Sequence, residues 1–241
     1  MIGTAGWSIP GASAGRFAAS GTHLQRYSSI FGCVEINSSF YRSHSRATYV
    51  RWAEGVHRGF QFSVKLPRTI THGQELRRAR VPLERFLEET AGLGEKRGPI
   101  LVQLPPSLVF DVRVVSRFFD CVRARYAGPI ACEPRHPTWF AAAADRLLER
   151  LQVARVAADP PRGPGDGMPG GWPGISYFRL HGSPRTYWSR YDTTFIEKLA
   201  DLLARSASGD VWCVFDNTAA GAAIENALEL QTLLASDPSA P

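Results

Sequence analysis

The sequence predicts an α/β protein built as a single (β/α)8 TIM barrel, and three observations carry that prediction. Eight short apolar or β-branched runs recur along the 241 residues. Segments with helical spacing and helix start signals separate most of them. Neither a Gly-x-Gly-x-x-Gly turn nor a Walker phosphate loop is present, which removes the usual signatures of an open doubly wound sheet. The length also suits one barrel of roughly 250 residues.

The strands are expected at 2–7, 33–37, 60–66, 100–104, 130–134, 153–158, 175–181 and 211–216. After the first, Thr22 precedes Leu24, Tyr27 and Phe31 at helical spacing. After the third, Pro82 stands where a first helical residue is expected, as Pro137 does after the fifth. Asp111 precedes Val114, Val115, Phe118 and Val122, and Asp192 or Thr193 is placed to cap the segment Phe195 to Leu203. Thr218 is the expected cap of a last helix presenting Ile224, Leu228 and Leu234. The sixth unit departs from the pattern: eleven of the fifteen residues 160–174 are Pro or Gly. The sixth helix is therefore expected to be replaced by a Pro/Gly-rich loop. One domain over 1–235 follows, with 236–241 as a disordered tail.

With 44% hydrophobic and 21% charged residues, the chain can bury a core, which excludes a disordered protein. No run approaches the roughly 18 apolar residues of a membrane span. Met1 leads into Ile2-Gly3-Thr4-Ala5-Gly6-Trp7 without the basic and apolar regions of an export signal, so a cytoplasmic location is expected. Cys33, Cys121, Cys132 and Cys213 lie far apart without zinc-type spacing and read as small hydrophobes. The net charge of +6 comes from 28 basic and 22 acidic residues, and only three of the bases are Lys. Lys96 and Lys198 fall in expected helices, whereas Lys65 ends a strand. In a chain that favours Arg, this hints at a need for a compact ammonium. Arg77, Arg78 and Arg80 motivate a nucleic-acid-binding reading, but the other bases are scattered and no recognition motif is present, so nucleic acid is not the expected partner.

Barrel active sites lie at the C-terminal ends of the strands. There the chain places Glu35 and Asn37 with Tyr41; Lys65 with Arg68 and His72; Gln103; Glu133 and Arg135 with His136 and Trp139; Asp159; Arg179 and His181; and Asp216 with Asn217. Period-two alternation puts Glu35 with Asn37, Glu133 with Arg135, and Arg179 with His181 on shared faces, and points Gln61, Ser63 and Lys65 inward together.

Seven strings among these residues resemble the YecE-like family (domain of unknown function 72). They are Gly3-Thr4-Ala5-Gly6-Trp7, Val34 to Tyr41, Lys65 to His72, Gln103-Leu104-Pro105-Pro106, Glu133-Pro134-Arg135-His136 with Trp139, Arg179-Leu180-His181-Gly182 and Asp216-Asn217-Thr218. The resemblance is collinear from Gly3 to about Leu234. It implies a TIM-barrel fold and brings no reaction with it. This chain has Asp216 where the family commonly has Asn, which adds a carboxylate to the mouth.

The leading functional expectation is an enzyme acting on a small anionic, phosphate- or carboxylate-bearing metabolite. Glu35 and Glu133 would serve as general acid and base, with Lys65 and His181 beside them. Asn37, Tyr41, Arg68, His72, Gln103, Arg135, His136, Trp139, Arg179, Tyr187, Asp216 and Asn217 would bind the substrate. Guanidinium forks suit such anions, and the Gly182-Ser183 turn and the start of the last helix flank the usual phosphate position of barrels. Two rivals stay open. Glu35, Glu133, Asp159, His181 and Asp216 could ring a divalent metal, as in isomerase- or phosphodiesterase-like barrels. Lys65 could form a Schiff base, although flanking carboxylates are expected to keep its amine charged. No cofactor is identified.

Overall fold

The structure is a computed structural model that describes residues 1–162, 165, 167–206 and 209–236. It is an α/β fold dominated by parallel sheet. The strands are β1 (Ile2–Thr4), β2 (Cys33–Ile36), β3 (Gln61–Lys65), β4 (Arg97–Gln103), β5 (Ile130–Glu133), β6 (Val153–Arg155), β7 (Ala157–Asp159), β8 (Gly170–Gly171), β9 (Ile175–Leu180) and β10 (Asp210–Phe215). One sheet runs β1-β10-β9-β7 and the other β2-β3-β4-β5-β6-β8. Every ladder is parallel except β6 with β8. The two sheets are joined in two places. Ala5 bridges Glu35 in parallel, with the Gly6 N–H donated to the Glu35 carbonyl, and only Val156 separates β6 from β7. Gly3 permits the close approach of β1 to β2, because a Cβ there would lie 2.2 Å from the Cys33 carbonyl oxygen.

The helices are α1 (His23–Ser28), α2 (Arg46–Glu54), α3 (Arg80–Thr90), α4 (Val112–Arg123), α5 (Ala142–Arg150), α6 (Thr193–Ala204) and α7 (Ala222–Ser236). Three of the caps expected from the sequence form. Thr22 accepts from the Gln25 N–H in a full capping box, Asp111 from Arg113 and Val114, and Asp192 from Phe195. Pro137 opens the short 3-10 turn Pro137–Phe140, whereas Pro82 is the third residue of α3, not the first. Thr218 is not a helix cap: its carbonyl accepts the Gly221 N–H in a turn, and α7 begins later, at Ala222. The expected sixth strand is interrupted at Val156, whose N–H goes to the Cys132 carbonyl. Between β7 and β9 the described residues hold no helix; Gly170–Gly171 pairs antiparallel with β6. Residues 163, 164 and 166 of the expected loop, and 237–241 of the expected tail, lie outside the described residues. Ser236 ends α7, its hydroxyl donated to the Thr232 carbonyl.

The two faces of the strands bury different chemistry. One face, with Val34, Ile36, Phe62, Val64, Ile100, Val102, Phe178, Leu180, Cys213 and Phe215, packs with helix residues such as Leu83, Phe86, Phe118, Leu148, Ile196 and Ala227 into the main apolar core. Each such Phe or Leu contributes about 1.5–3 kcal/mol on leaving water. The opposite face carries a second apolar cluster: Cys33, Leu101, Ala131, Ala154, Val156, Ile175, Tyr177, Trp212 and Val214. Two residues further along the same face, toward the C-terminal ends, stand Glu35, Glu133 and Arg179, so this side changes from apolar to charged along each strand. All four cysteines are free, and burial pushes the Cys33 thiol up to about 12 and those of Cys132 and Cys213 higher still. No helix among the described residues is long and apolar enough to cross a membrane.

Candidate functional site

The C-terminal ends of β2, β3, β5, β9 and β10 bring seven of the expected residues together. Arg179 is fully buried and lies at the centre. Its Nε and Nη2 grip Glu35 at 3.0 and 2.7 Å as a bidentate pair. Its Nη1 reaches Glu133 at 3.2 Å, and Nη2 also lies 2.9 Å from Asp216. Arg135 places Nη2 2.5 Å from the same Glu133 carboxylate and 2.8 Å from His181 Nε2. Paired guanidiniums of this geometry make the strong, charge-assisted class of hydrogen bond. Burial alone would raise the Glu133 pKa, but Arg135, Arg179 and His181 outweigh it and hold the group well below the ordinary carboxylate range. Burial likewise opposes the Asp216 carboxylate, and Arg179 and His181 overcome it. The three carboxylates in turn hold the Arg179 proton more firmly than usual despite its burial.

His181 is clamped between two carboxylates. Its Nδ1 lies 3.0 Å from Asp216 Oδ2 and its Nε2 2.9 Å from Glu133 Oε1. Nε2 also lies 2.8 Å from Arg135 Nη2, so it can accept from Arg135 as a bare nitrogen or donate to Glu133 as N–H. Tyr187 covers this imidazole edge-on, with ring centroids 5.7 Å apart. Its N–H is donated to the His181 carbonyl from a backbone at φ +70°. Gly182, at φ +89°, makes the turn that folds this segment back; a Cβ there would meet the Ser189 carbonyl at 2.7 Å.

Lys65 is the contrasting member. It is 4% exposed, its Nζ lies 4.3 Å from the centroid of the Phe40 ring, and it makes no side-chain hydrogen bond or ion pair among the described residues. Burial first, and then repulsion from Arg179, pull its pKa down to about 8; Glu35, Asp216 and Glu133 only partly offset this. The amine therefore still carries its proton at pH 7, as expected, but holds it less firmly than a free lysine does. Those carboxylates are spent on Arg179, Arg135 and His181, and desolvation dominates.

Three further polar atoms are buried without a partner among the described residues: Asn37 Oδ1, Arg135 Nε and Asn217 Oδ1. Asn37 directly follows β2, and Arg135 and Asn217 lie two residues beyond the ends of β5 and β10. Asn217 is oriented by its Nδ2, which donates to the Ser189 carbonyl and to Asn226 Oδ1. Gln103 is half-buried and stands opposite Glu133 in the β4–β5 ladder.

The remaining expected residues are placed differently. Tyr41 is 69% exposed and meets Phe40 edge-on, and Arg68 is exposed beside the strand end. His72 packs edge-on against Phe40 and bonds the Thr71 hydroxyl; burial, Lys65 and Arg68 lower its pKa. His136 and Trp139 do not join the cluster. His136 caps Pro137–Phe140 through the Thr138 N–H, and Trp139 is fully buried with its indole N–H on the Leu108 carbonyl. Asp159 accepts from the Tyr191 hydroxyl at 2.7 Å, away from the other carboxylates. The expected metal ring is therefore not assembled: its carboxylates are taken by arginines or Tyr191, and no group of three or more possible ligands is placed to hold a metal among the described residues. Nor are Glu35 and Glu133 a separated acid–base pair, because Arg179 joins them. Arg179 itself has no donor left for a substrate anion.

Sequence reasoning missed Tyr177, although it placed Ser63 on the inward face. The Tyr177 hydroxyl meets Glu35 at 3.0 Å and Ser63 Oγ at 2.9 Å beneath the ion cluster. Strand parity was the available signal, since Tyr177 shares a face with Arg179. Arg155, buried on the other side of the sheet, was missed too. It pairs with Asp145 at 2.7 Å, donates to the Gly165 and Met168 carbonyls, and lies over Phe140.

Comparison with known proteins agrees with this architecture. A solved DUF72 family protein from Enterococcus faecalis V583 superposes with a TM-score of 0.83 at 22% identity, covering 98% of this chain and 95% of that one. A xylose isomerase-like TIM barrel/4-hydroxyphenylpyruvate dioxygenase fusion protein matches at a TM-score of 0.50 and 17% identity, over 89% of this chain and 40% of that one, which makes the fold TIM-barrel-like. The UPF0759 protein YecE of Escherichia coli (strain K12) is 29% identical over 144 residues, 57% of this chain and 52% of that protein. The chain thus spans about half the length of the curated relatives it matches. The family profile described as "Protein of unknown function DUF72" matches residues 1–241, and the chain belongs to that YecE-like DUF72 family.

Proposed function

We propose that the strand ends form the site of an enzyme that binds a small hydroxylated anion, a carboxylate or phosphate, and moves a proton on it. The observation that carries this reading is the location of the unsatisfied groups. Leaving a buried polar atom unpaired costs about 1–3 kcal/mol, and the three such atoms among the described residues all sit at this one edge with the unpaired Lys65. Their chemistry specifies the ligand. Lys65 Nζ and Arg135 Nε are donors suited to an anion, while Asn37 Oδ1 and Asn217 Oδ1 are acceptors suited to hydroxyls. Charge arithmetic agrees. Lys65, Arg135 and Arg179 balance Glu35, Glu133 and Asp216, so an anion enters a site that does not repel it.

Within this reading the work is divided differently from the sequence expectation. Glu35 and Glu133 position Arg179 and His181, and His181 Nε2 carries the proton. The scaffold is one (β/α)8 barrel over residues 1–235, with β6 and β7 as a single interrupted strand and a Pro/Gly-rich loop in place of the sixth helix. Nucleic acid is not the partner in this reading. Calorimetric titration with inorganic phosphate tests it. Saturable binding is expected in the wild type and is lost in Lys65→Met and Arg135→Gln. No binding to the wild type at low salt overturns it.

A further inference from the structure

We propose that Lys65 is a covalent anchor, its amine condensing with the carbonyl of a small aldehyde or ketone that also bears a carboxylate or phosphate. This rests on the reading of the strand ends as an anion site and narrows its substrate class. Of the four buried Lys and Arg among the described residues, Arg135, Arg155 and Arg179 each make an ion pair, and Lys65 makes none there. A group meant only to hold an anion has no need to be Lys in a chain with 25 Arg among its 28 basic residues. Guanidinium is the better fork for carboxylate or phosphate, and it cannot condense. An amine can, once it sheds its proton. The place favours that loss. Nζ lies against the Phe40 ring on a side chain that is only 4% exposed, with Arg179 repelling the charge, and its pKa falls to about 8.

The step balances without a further reactant. The neutral amine adds through its lone pair to the carbonyl carbon, and the C=O pair moves to oxygen. The resulting carbinolamine loses one water, made from the former carbonyl oxygen and the two amine hydrogens, and leaves the imine. Arg135 Nε, unpartnered two residues beyond the end of β5, is the donor placed for the anionic end of the molecule.

Reductive trapping reads the step directly. The full-length protein is incubated with glyoxylate and cyanoborohydride, which delivers hydride to any imine, and the modified positions are mapped by peptide mass. The chain has few competitors. Lys198 is exposed, Lys96 Nζ donates to the Ala53 and Val56 carbonyls, and the Met1 amine donates to the Val211 carbonyl. Lys65 is expected to be labelled at least about tenfold faster than Lys198 near neutral pH, with a rate that levels off above its own titration near about 8. Lys65→Met removes the label. Preferential labelling of Lys198 or Met1, with Lys65 unmodified, overturns the proposal. If phosphate binds by calorimetry and Lys65 stays unlabelled, the covalent anchor falls and the anion site stands. If uncharged acetaldehyde labels Lys65 as fast as glyoxylate and phosphate gives no protection, the anionic half falls.

Discussion

Arg179 and Lys65 are both buried cations at the C-terminal ends of strands, β9 and β3, yet their surroundings are opposite. Arg179 meets Glu35, Glu133 and Asp216 within 3.2 Å, and every charge in that half of the site has a counterpart. Lys65 meets the face of Phe40 and no oxygen. The first half has the character of a rigid frame, since removing any member strands a buried charge. The second half has spare valence: a free amine, and nearby a free guanidinium N–H and two free amide oxygens. Burial and charge alone do not separate framework from reacting group. Whether the hydrogen-bonding capacity is used up does.

The contrast is broken most directly by removing each cation in turn. Arg179→Met strands the buried Glu35, whose ion pair among the described residues is with Arg179, takes one cation each from Glu133 and Asp216, and is expected to cost about 3–5 kcal/mol in chemical denaturation. A loss below about 1 kcal/mol would show that the cluster is not a frame. Acid probes the same half. Glu133 and Asp216 have depressed values, so their stabilisation is full above the ordinary carboxylate range and is lost as pH falls through the folded-state values. Denaturation midpoints measured downward from pH 7 should decline below about pH 4.5, where unfolded glutamates begin to bind protons. Arg179→Met should flatten that decline.

Lys65→Met should do the reverse of Arg179→Met and stabilise the fold by about 1–3 kcal/mol at pH 7, because a charged amine held at a cost is exchanged for an apolar chain of similar length. The sign with pH follows from the lowered value. The folded state prefers the neutral amine, so the cost is complete below about 8 and is relieved as pH rises toward the ordinary 10.5. The advantage of the variant should therefore shrink between neutral pH and pH 9.5. Comparing variant with wild type at each pH cancels the thiols and phenols that titrate in the same range.

Much of this frame was legible beforehand for a physical reason. Buried parallel strands are short apolar runs, so each of the eight expected runs holds an observed strand, the sixth one broken at Val156, and capping residues such as Thr22, Asp111 and Asp192 signal locally. Alternation placed Glu35, Glu133, Arg179 and His181 on one face correctly. What escaped depended on distances between distant strands. Tyr177 reads as an apolar strand residue until Glu35 and Ser63 are seen beside its hydroxyl. Trp139 follows a promising Glu133-Pro134-Arg135-His136 run, but a short 3-10 turn carries it into the core. Counting carboxylates around Lys65 gave its charge at pH 7 but not how loosely the proton is held, because composition does not reveal which carboxylates a guanidinium has already taken.

Asp216 joins the two halves and offers the finest test. It bonds Arg179 and His181, and its charge also raises the Lys65 pKa against the pull of burial. Asp216→Asn keeps a side-chain oxygen of similar reach for Arg179, so stability should drop by only about 1 kcal/mol. Lys65 loses one of the three carboxylates that favour its charged form, and its titration should move below about 8. The pH at which Lys65 labelling by glyoxylate levels off should therefore fall in the variant, while the profile of Lys198 stays where it was. An unmoved Lys65 profile would mean that the frame and the free amine are electrostatically separate. Desolvation against Phe40 would then account for the lowered value without help from Asp216.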